Sequence, residues 1–215
     1  MNDFKQLNED SPEIIYLCKH DKHLAKAIKM VGPLKYQLAS DGYAFLVSEI
    51  IGQMLSNKVA DVLTERVSTL CHGHISIPAI YSITDADIHA IGLSRPKVTY
   101  IRNLTTAIND GTINFDQYSS MSDSEIIKDL TSIKGIGNWS AKMYLIFSLN
   151  RPDILPFEDI AFLQGYGWVY KTDDYTAKLV QKKCQKWHPY SSIAARYMYQ
   201  ALDLGLTKKP FHLFK

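Results

Sequence analysis

Cysteine is scarce, with three in 215 residues: Cys18, Cys71 and Cys184. Spaced that far apart, they make neither a metal-ligand pair nor a secreted disulfide framework, and they read as reduced thiols of a cytosolic protein. Long apolar runs are missing as well. No stretch approaches the roughly 20 residues a bilayer-spanning helix needs, and the opening Met1-Asn2-Asp3-Phe4-Lys5-Gln6 lacks the layout of a signal peptide. Strand signals are few, Ile75–Pro78 being too brief to seed a sheet, and no internal repeat or low-complexity linker breaks the chain. Net charge is only +2, too small to announce a nucleic-acid binder on its own. What remains is a globular protein, 46% hydrophobic and 21% charged, able to bury a real core. It is expected in the cytoplasm, nucleoid-associated if bacterial, away from the membrane.

Helix signals fill the space that strands leave, so an all-α fold is expected. The first forty residues read as short helices, with Asp21–Val31 amphipathic and ended by Gly32-Pro33. His20 and His23 flank the start of that helix, three apart and with no further ligand nearby, which is weak support for a metal. Two helices follow between Gly42 and Leu70. The first is nearly all apolar and therefore buried, and the second carries Val59, Val62, Leu63, Arg66 and Leu70 on one stripe. Arg95–Ile108 is a further helix, with Lys97, Tyr100 and Arg102 available for solvent or phosphate. From Ile160 to Lys215, nine Lys and Arg stand against three Asp. Lys178, Lys182, Lys183 and Lys186 fall along helix faces there, as a solvated face or a phosphate-tracking stripe.

The most informative stretch runs from Leu130 to Phe162. Ser122-Asp123-Ser124-Glu125 is a capping box, and Ile126, Ile127, Leu130 and Ile133 recur behind it at helical spacing, so a helix runs into a turn bearing Gly135 and Gly137. Asn138 is a plausible N-cap for a second, largely buried helix through Met143, Leu145, Ile146, Phe147 and Leu149, stopping before Pro152. Helix, glycine hairpin, helix is the product. Such a turn leaves main-chain N–H groups open to an anion at a helix N-terminus, or it is an ordinary hairpin with a glycine C-cap.

Ile133-Lys134-Gly135-Ile136-Gly137-Asn138-Trp139-Ser140-Ala141, with Arg151-Pro152-Asp153 and Leu155-Pro156-Phe157-Glu158-Asp159 behind it, resembles the helix-hairpin-helix DNA glycosylase superfamily, and more narrowly its 3-methyladenine (alkylpurine) DNA glycosylase II branch. In that branch the catalytic Asp follows the hairpin Trp by 20 residues, which here selects Asp159. Phe45–Ser56, ending Ile51-Gly52-Gln53-Met54-Leu55-Ser56, Ile91–Lys97 and Trp187–Tyr199 are similar to further segments of the branch. Asn138 and Ser191 stand where members often have Arg, and Glu158 where many have Asp.

The resemblance implies a two-lobed helical fold, with a central lobe over 42–149 carrying the hairpin at 131–141, a second lobe from 1–41 and 150–215, and an active-site cleft between them. It implies a monomeric, monofunctional glycosylase that hydrolyses the N-glycosidic bond of alkylated purines such as 3-methyladenine in duplex DNA, for base excision repair. Asp159 is then the catalytic carboxylate; its residue type at a helix start equally suits an N-cap, and the two roles are compatible. Trp139, Met143, Ile160 and Tyr199 are implied pocket residues, all four of which also read as helix core. Gln53, Met54, Gly135, Gly137 and Ser140 are the implied DNA contacts, Met54 as the wedge that fills the gap left by a flipped base. Main-chain oxygens of Thr131, Ile133 and Ile136 would hold a Na⁺ or K⁺. No cofactor is needed, and three cysteines cannot bind the four-Cys iron–sulfur cluster of some relatives. Two alternatives stand beside this: a non-catalytic DNA-binding protein that keeps the hairpin, and a bifunctional glycosylase/lyase. The lyase needs a Lys where Trp139 stands, and Lys134 and Lys142 are near but not at that position.

Overall fold

A computed structural model describes residues 4–213. It is mostly helical, and no described helix is long and apolar enough to cross a membrane. In chain order the elements are β1 (Phe4–Leu7), α1 (Pro12–His20), α2 (Lys22–Val31), β2 (Leu34–Gln37), α3 (Gly42–Gly52), α4 (Asn57–Leu70), α5 (Ile77–Ser82), α6 (Asp85–Ala90), α7 (Arg95–Asn109), α8 (Asp123–Thr131), α9 (Asn138–Phe147), α10 (Ile160–Tyr170), α11 (Ala177–Cys184) and α12 (Ser191–Asp203). They divide into two compact units, one formed by the chain up to Leu38 and from Leu149, the other by Ala39–Ser148.

In the discontinuous unit, Leu17, Leu24, Phe162, Val169, Trp187 and Tyr197 belong to one core of buried side chains. Each fully buried apolar side chain contributes about 1.5–3 kcal/mol, so α1, α2, α10 and α12 are held chiefly by this cluster. α10 and α12 approach closely where Gly165 faces Met198: a Cβ on Gly165 would lie 2.6 Å from the Met198 Cβ. A polar node sits within the core. Asp21, 1% exposed, caps α2 by accepting from the His23 and Leu24 N–H groups, while its second oxygen accepts from the Tyr170 hydroxyl, the Trp187 indole N–H (2.9 Å) and Lys186 Nζ (3.1 Å). Burial by itself would raise the Asp21 carboxyl; these hydrogen bonds outweigh it and hold the group below the usual carboxylate range.

β1 and β2 pair antiparallel in this unit, Phe4 opposite Gln37 and Leu7 opposite Leu34. The expectation of helices alone over the first forty residues is corrected here. Only the second segment, Leu34-Lys35-Tyr36-Gln37, alternates apolar and polar residues; four residues carry too little periodicity to separate strand from chance, and the pairing spans two intervening helices.

In the unit from Ala39 to Ser148, α3 packs against α4, α7 and α9, burying Leu46, Val47, Ile50 and Ile51. On α4 the expected stripe is rotated: Leu63 and Val67 face inward, whereas Val59 and Val62 are exposed. Two capping boxes start helices as their sequences demand, Thr84 with Asp87 at α6 and Ser122 with Glu125 at α8.

Candidate nucleic-acid interface and carboxylate

α8 ends at Thr131, and the turn to α9 contains two glycines with different duties. Gly135 has φ +115, and a Cβ there would come within 2.3 Å of the Tyr100 ring, so both backbone angle and close packing require glycine. Gly137 lies at φ −99 and ψ 177 with open space around its Cα; it is the N-cap of α9 and offers no side chain to the helix N–H groups. Asn138, expected as the cap, is instead the first helical residue. With the cap left to glycine, the N-terminal N–H groups of α9 and its positive dipole end have no side-chain acceptor of their own at that position.

The turn is buttressed from two helices of the same unit. Gln53 Nε2 donates to Gly135 O (2.8 Å) and Asn103 Nδ2 to Lys134 O (3.0 Å). Gln53, expected to touch DNA, thus spends its amide on the hairpin. Ile133 O accepts from the Ile136 N–H at 3.0 Å, with a second lone pair to spare, and both residues are buried. Main-chain oxygens are hard donors, a type that suits an alkali cation at Thr131, Ile133 and Ile136. Ser140, expected to touch DNA, is 2% exposed, so its hydroxyl is not presented to solvent.

Next to Gln53 stands Met54, fully solvent-exposed and at φ +60. Gln53 at φ −48 and ψ 125 and the hydrogen bond from Leu55 N–H to Gly52 O (3.0 Å) make Gly52–Leu55 a type II turn, whose third position ordinarily takes glycine. A methionine there costs about 1–2 kcal/mol of backbone strain.

Three residues expected to be available to phosphate are occupied instead. Lys97 Nζ donates to Ile51 O and Gln53 O, the Tyr100 ring packs on Gly135, and Arg102 binds Asp85 together with the Ile80 and Ile83 carbonyls. Lys97, Tyr100 and Asn103 recur at a spacing of three on α7, a stripe visible in sequence but meaningless until its partners are known.

In the other unit, α10 begins at Ile160, and Asp159 is its N-cap: Oδ1 accepts from the Phe162 N–H at 2.6 Å. Asp159 is 8% exposed, while adjacent Ile160 is 72% exposed. The loop that delivers Asp159 is fastened to the start of α12. Ser192 N–H donates to Pro152 O (3.0 Å), Ile154 N–H to Ser192 Oγ (2.9 Å) and Ser191 Oγ to Asp153 Oδ1 (2.6 Å), while His188 Nδ1 contacts Asp153 Oδ2. Sequence reasoning missed this clasp, although Asp153 lay inside a recognised motif. Tyr199 is half-buried on α12, one turn from buried Arg196, whose guanidinium lies over the Tyr36 ring at 3.9 Å. Burial pushes Arg196 down to about 10, so it stays cationic at neutral pH. Trp139 is half-buried in the first turn of α9, and Met143 is buried. Trp139 and Met143 therefore belong to the hairpin unit, and Asp159, Ile160 and Tyr199 to the other. No cluster of His, Cys, Asp or Glu suited to a metal occurs among the described residues, His20 and His23 included.

The glycine-capped hairpin, the Met54 turn and the carboxylate capping α10 all fall within residues 47–189, which match the family described as HhH-GPD superfamily base excision DNA repair protein. The chain belongs to that superfamily. It is similar to DNA-3-methyladenine glycosylase 1 of Schizosaccharomyces pombe, 29% identical over 204 residues that cover 91% of this chain and 89% of the relative. Among solved structures it resembles a DNA-3-methyladenine glycosidase from Bacillus halodurans, with 28% identity, 97% of both chains covered and a TM-score of 0.85. It also resembles the S. pombe 3-methyladenine DNA glycosylase in complex with abasic DNA, with 26% identity, 90% of this chain and 97% of the other covered, and a TM-score of 0.82.

Proposed function

We propose that this protein is a monofunctional DNA glycosylase that hydrolyses the N-glycosidic bond of alkylated purines, 3-methyladenine foremost, in duplex DNA. Full-length similarity to proteins named for that activity supports the reading. The single observation that carries it is Asp159, an acid placed by a clasped loop at the head of α10.

The α9 entry and Gly137 seat a DNA phosphate through main-chain N–H groups, a contact that positions without reading sequence. Thr131, Ile133 and Ile136 would hold a Na⁺ or K⁺ at the same turn, and the ion would supply positive charge beside that phosphate. Met54 enters the base stack where the damaged nucleotide leaves it, and Tyr199, in the same unit as Asp159, stacks on the extruded base. The C1′–N bond then breaks with its electron pair going to the base. An alkylated purine already carries positive charge, so it departs neutral and needs little acid assistance. The sugar is left as an oxocarbenium ion, which the Asp159 carboxylate stabilises while water adds to C1′ and gives up a proton, leaving an abasic site.

Base release from methylated duplex DNA by the wild type and Asp159→Asn, side by side, tests this. The wild type releases 3-methyladenine and the variant loses release by about 10²–10³-fold. Near-wild-type release by the variant removes Asp159 from the mechanism. Borohydride traps no protein–DNA adduct if the enzyme is monofunctional; a trapped adduct identifies a lyase.

A further inference from the structure

The stripe on α7 ends on two functional segments at once. Lys97 Nζ donates to Ile51 O (2.7 Å) and Gln53 O (2.8 Å), carbonyls on either side of Gly52, where the Met54 turn begins. Tyr100 packs on Gly135, and Asn103 holds Lys134 O. Gln53 closes the circuit, because its main-chain oxygen is gripped by Lys97 while its side-chain amide reaches Gly135 O. Every contact in this circuit lies inside the unit from Ala39 to Ser148.

We propose that Lys97 is a positioning residue for base extrusion: it clamps the Gly52–Leu55 turn in the conformation that presents Met54, and Gln53 registers that turn to the hairpin. Phosphate grip and stack insertion are then one rigid device. The proposal rests on the reading of Met54 as the wedge. A lysine suits the task because one ammonium donates to two carbonyls at the C-terminal end of α3, where positive charge is also favoured by the helix dipole. The clamp has a reason to exist because the turn it holds places a non-glycine residue at positive φ, a conformation that persists only when its surroundings over-determine it. Released, the turn relaxes and the methionine loses its aim. The hairpin keeps its own supports in Tyr100 and Asn103.

The test is a double-mutant cycle on Lys97→Met and Met54→Ala. It is read by single-turnover base release, by the fluorescence of a 2-aminopurine placed beside the lesion, by affinity for undamaged duplex, and by hydrogen exchange at the Leu55 amide. Lys97→Met is expected to slow release and to reduce the fluorescence rise by about tenfold, with affinity for undamaged duplex changed by less than about twofold. Leu55 exchange, protected by the bond to Gly52 O, is expected to accelerate by about tenfold. In the Met54→Ala background, Lys97→Met should cost release nothing more, because it acts through the side chain already removed. Additive losses in the double variant, or unchanged Leu55 exchange in a folded Lys97→Met protein, overturn the proposal. If Lys97→Met does not fold, Lys97→Gln enters the same cycle with the same expected outcomes. A wild type that releases no alkylated base refutes the activity proposed above, and Leu55 exchange then decides the clamp alone.

Discussion

α9 and α10 start in opposite ways. The N-cap of α9 is Gly137, with no side chain to offer, and the N-cap of α10 is Asp159, whose carboxylate accepts from the helix's own N–H. Helix N-termini attract negative charge in either case. One helix meets that preference with a carboxylate of its own; the other has no side chain at its cap. The catalytic group and the phosphate seat proposed above thus differ in the residue that stands at the cap. Asp21 shows the third outcome. It too is an N-cap aspartate, but its second oxygen is consumed by Tyr170, Trp187 and Lys186, so its charge serves the fold.

The largest effect that would break this comparison concerns Asp21. Asp21→Ala strands buried donors and should cost about 3–5 kcal/mol in chemical denaturation, enough to threaten folding. Its depressed carboxyl also fixes a pH dependence. The folded pKa lies below the unfolded one, so the stabilisation is fully present above about pH 4 and is lost as pH falls through the folded value. Asp21→Asn should flatten the acid limb of a stability–pH curve, and an unchanged limb would show that the node contributes nothing there.

Asp159 separates charge from cap. Asp159→Asn and Asp159→Ala should both abolish most base release, but only the alanine variant should lose the cap, at about 1 kcal/mol, since asparagine caps nearly as well. Equal thermal stability for the two would detach the carboxylate from α10.

Gly137→Asp installs the α10 arrangement on α9. Space around Gly137 is open and its φ is negative, so the fold should accept the change and gain a few tenths of a kcal/mol from the new cap. Affinity for any duplex sequence should nevertheless fall by about tenfold, because a carboxylate now occupies the place of the phosphate. Undiminished binding in a low-salt titration would mean that the hairpin is structural only.

The smallest effect belongs to the stacking residues. Tyr199→Ala should lower kcat/KM for 3-methyladenine by about tenfold or less, stacking and cation–π terms each being on the order of 1 kcal/mol. If cationic charge drives recognition, neutral hypoxanthine is a poor substrate throughout. Faster release of hypoxanthine than of 3-methyladenine under single-turnover conditions would show that base edges are read instead. Arg196, a buried cation one turn from Tyr199, makes that comparison more pointed.

Local signals predicted local features well. The capping box at Ser122, the stop at Gly32 and the glycine turn all act within a few residues of themselves, and each stands where the sequence places it. Long-range partnerships were illegible. Lys97 reads as a solvent-facing cation until α3 delivers two carbonyls to it, and Asp153 reads as part of a motif until α12 delivers Ser191 and His188. Val59 and Val62 mislead for the related reason that periodicity states which residues share a face, not which face is covered. The geometry of the candidate site was readable where it is made of caps and turns, and unreadable where it is held by contacts between distant segments.

The left-handed backbone of Met54 has an evolutionary corollary. A library of this protein screened only for heat resistance would enrich glycine at position 54, because glycine adopts that angle without strain. The winners would melt later and repair less. A Met54→Gly variant that melts later yet releases base as fast as the wild type would leave that strained angle without a function in the proposed wedge.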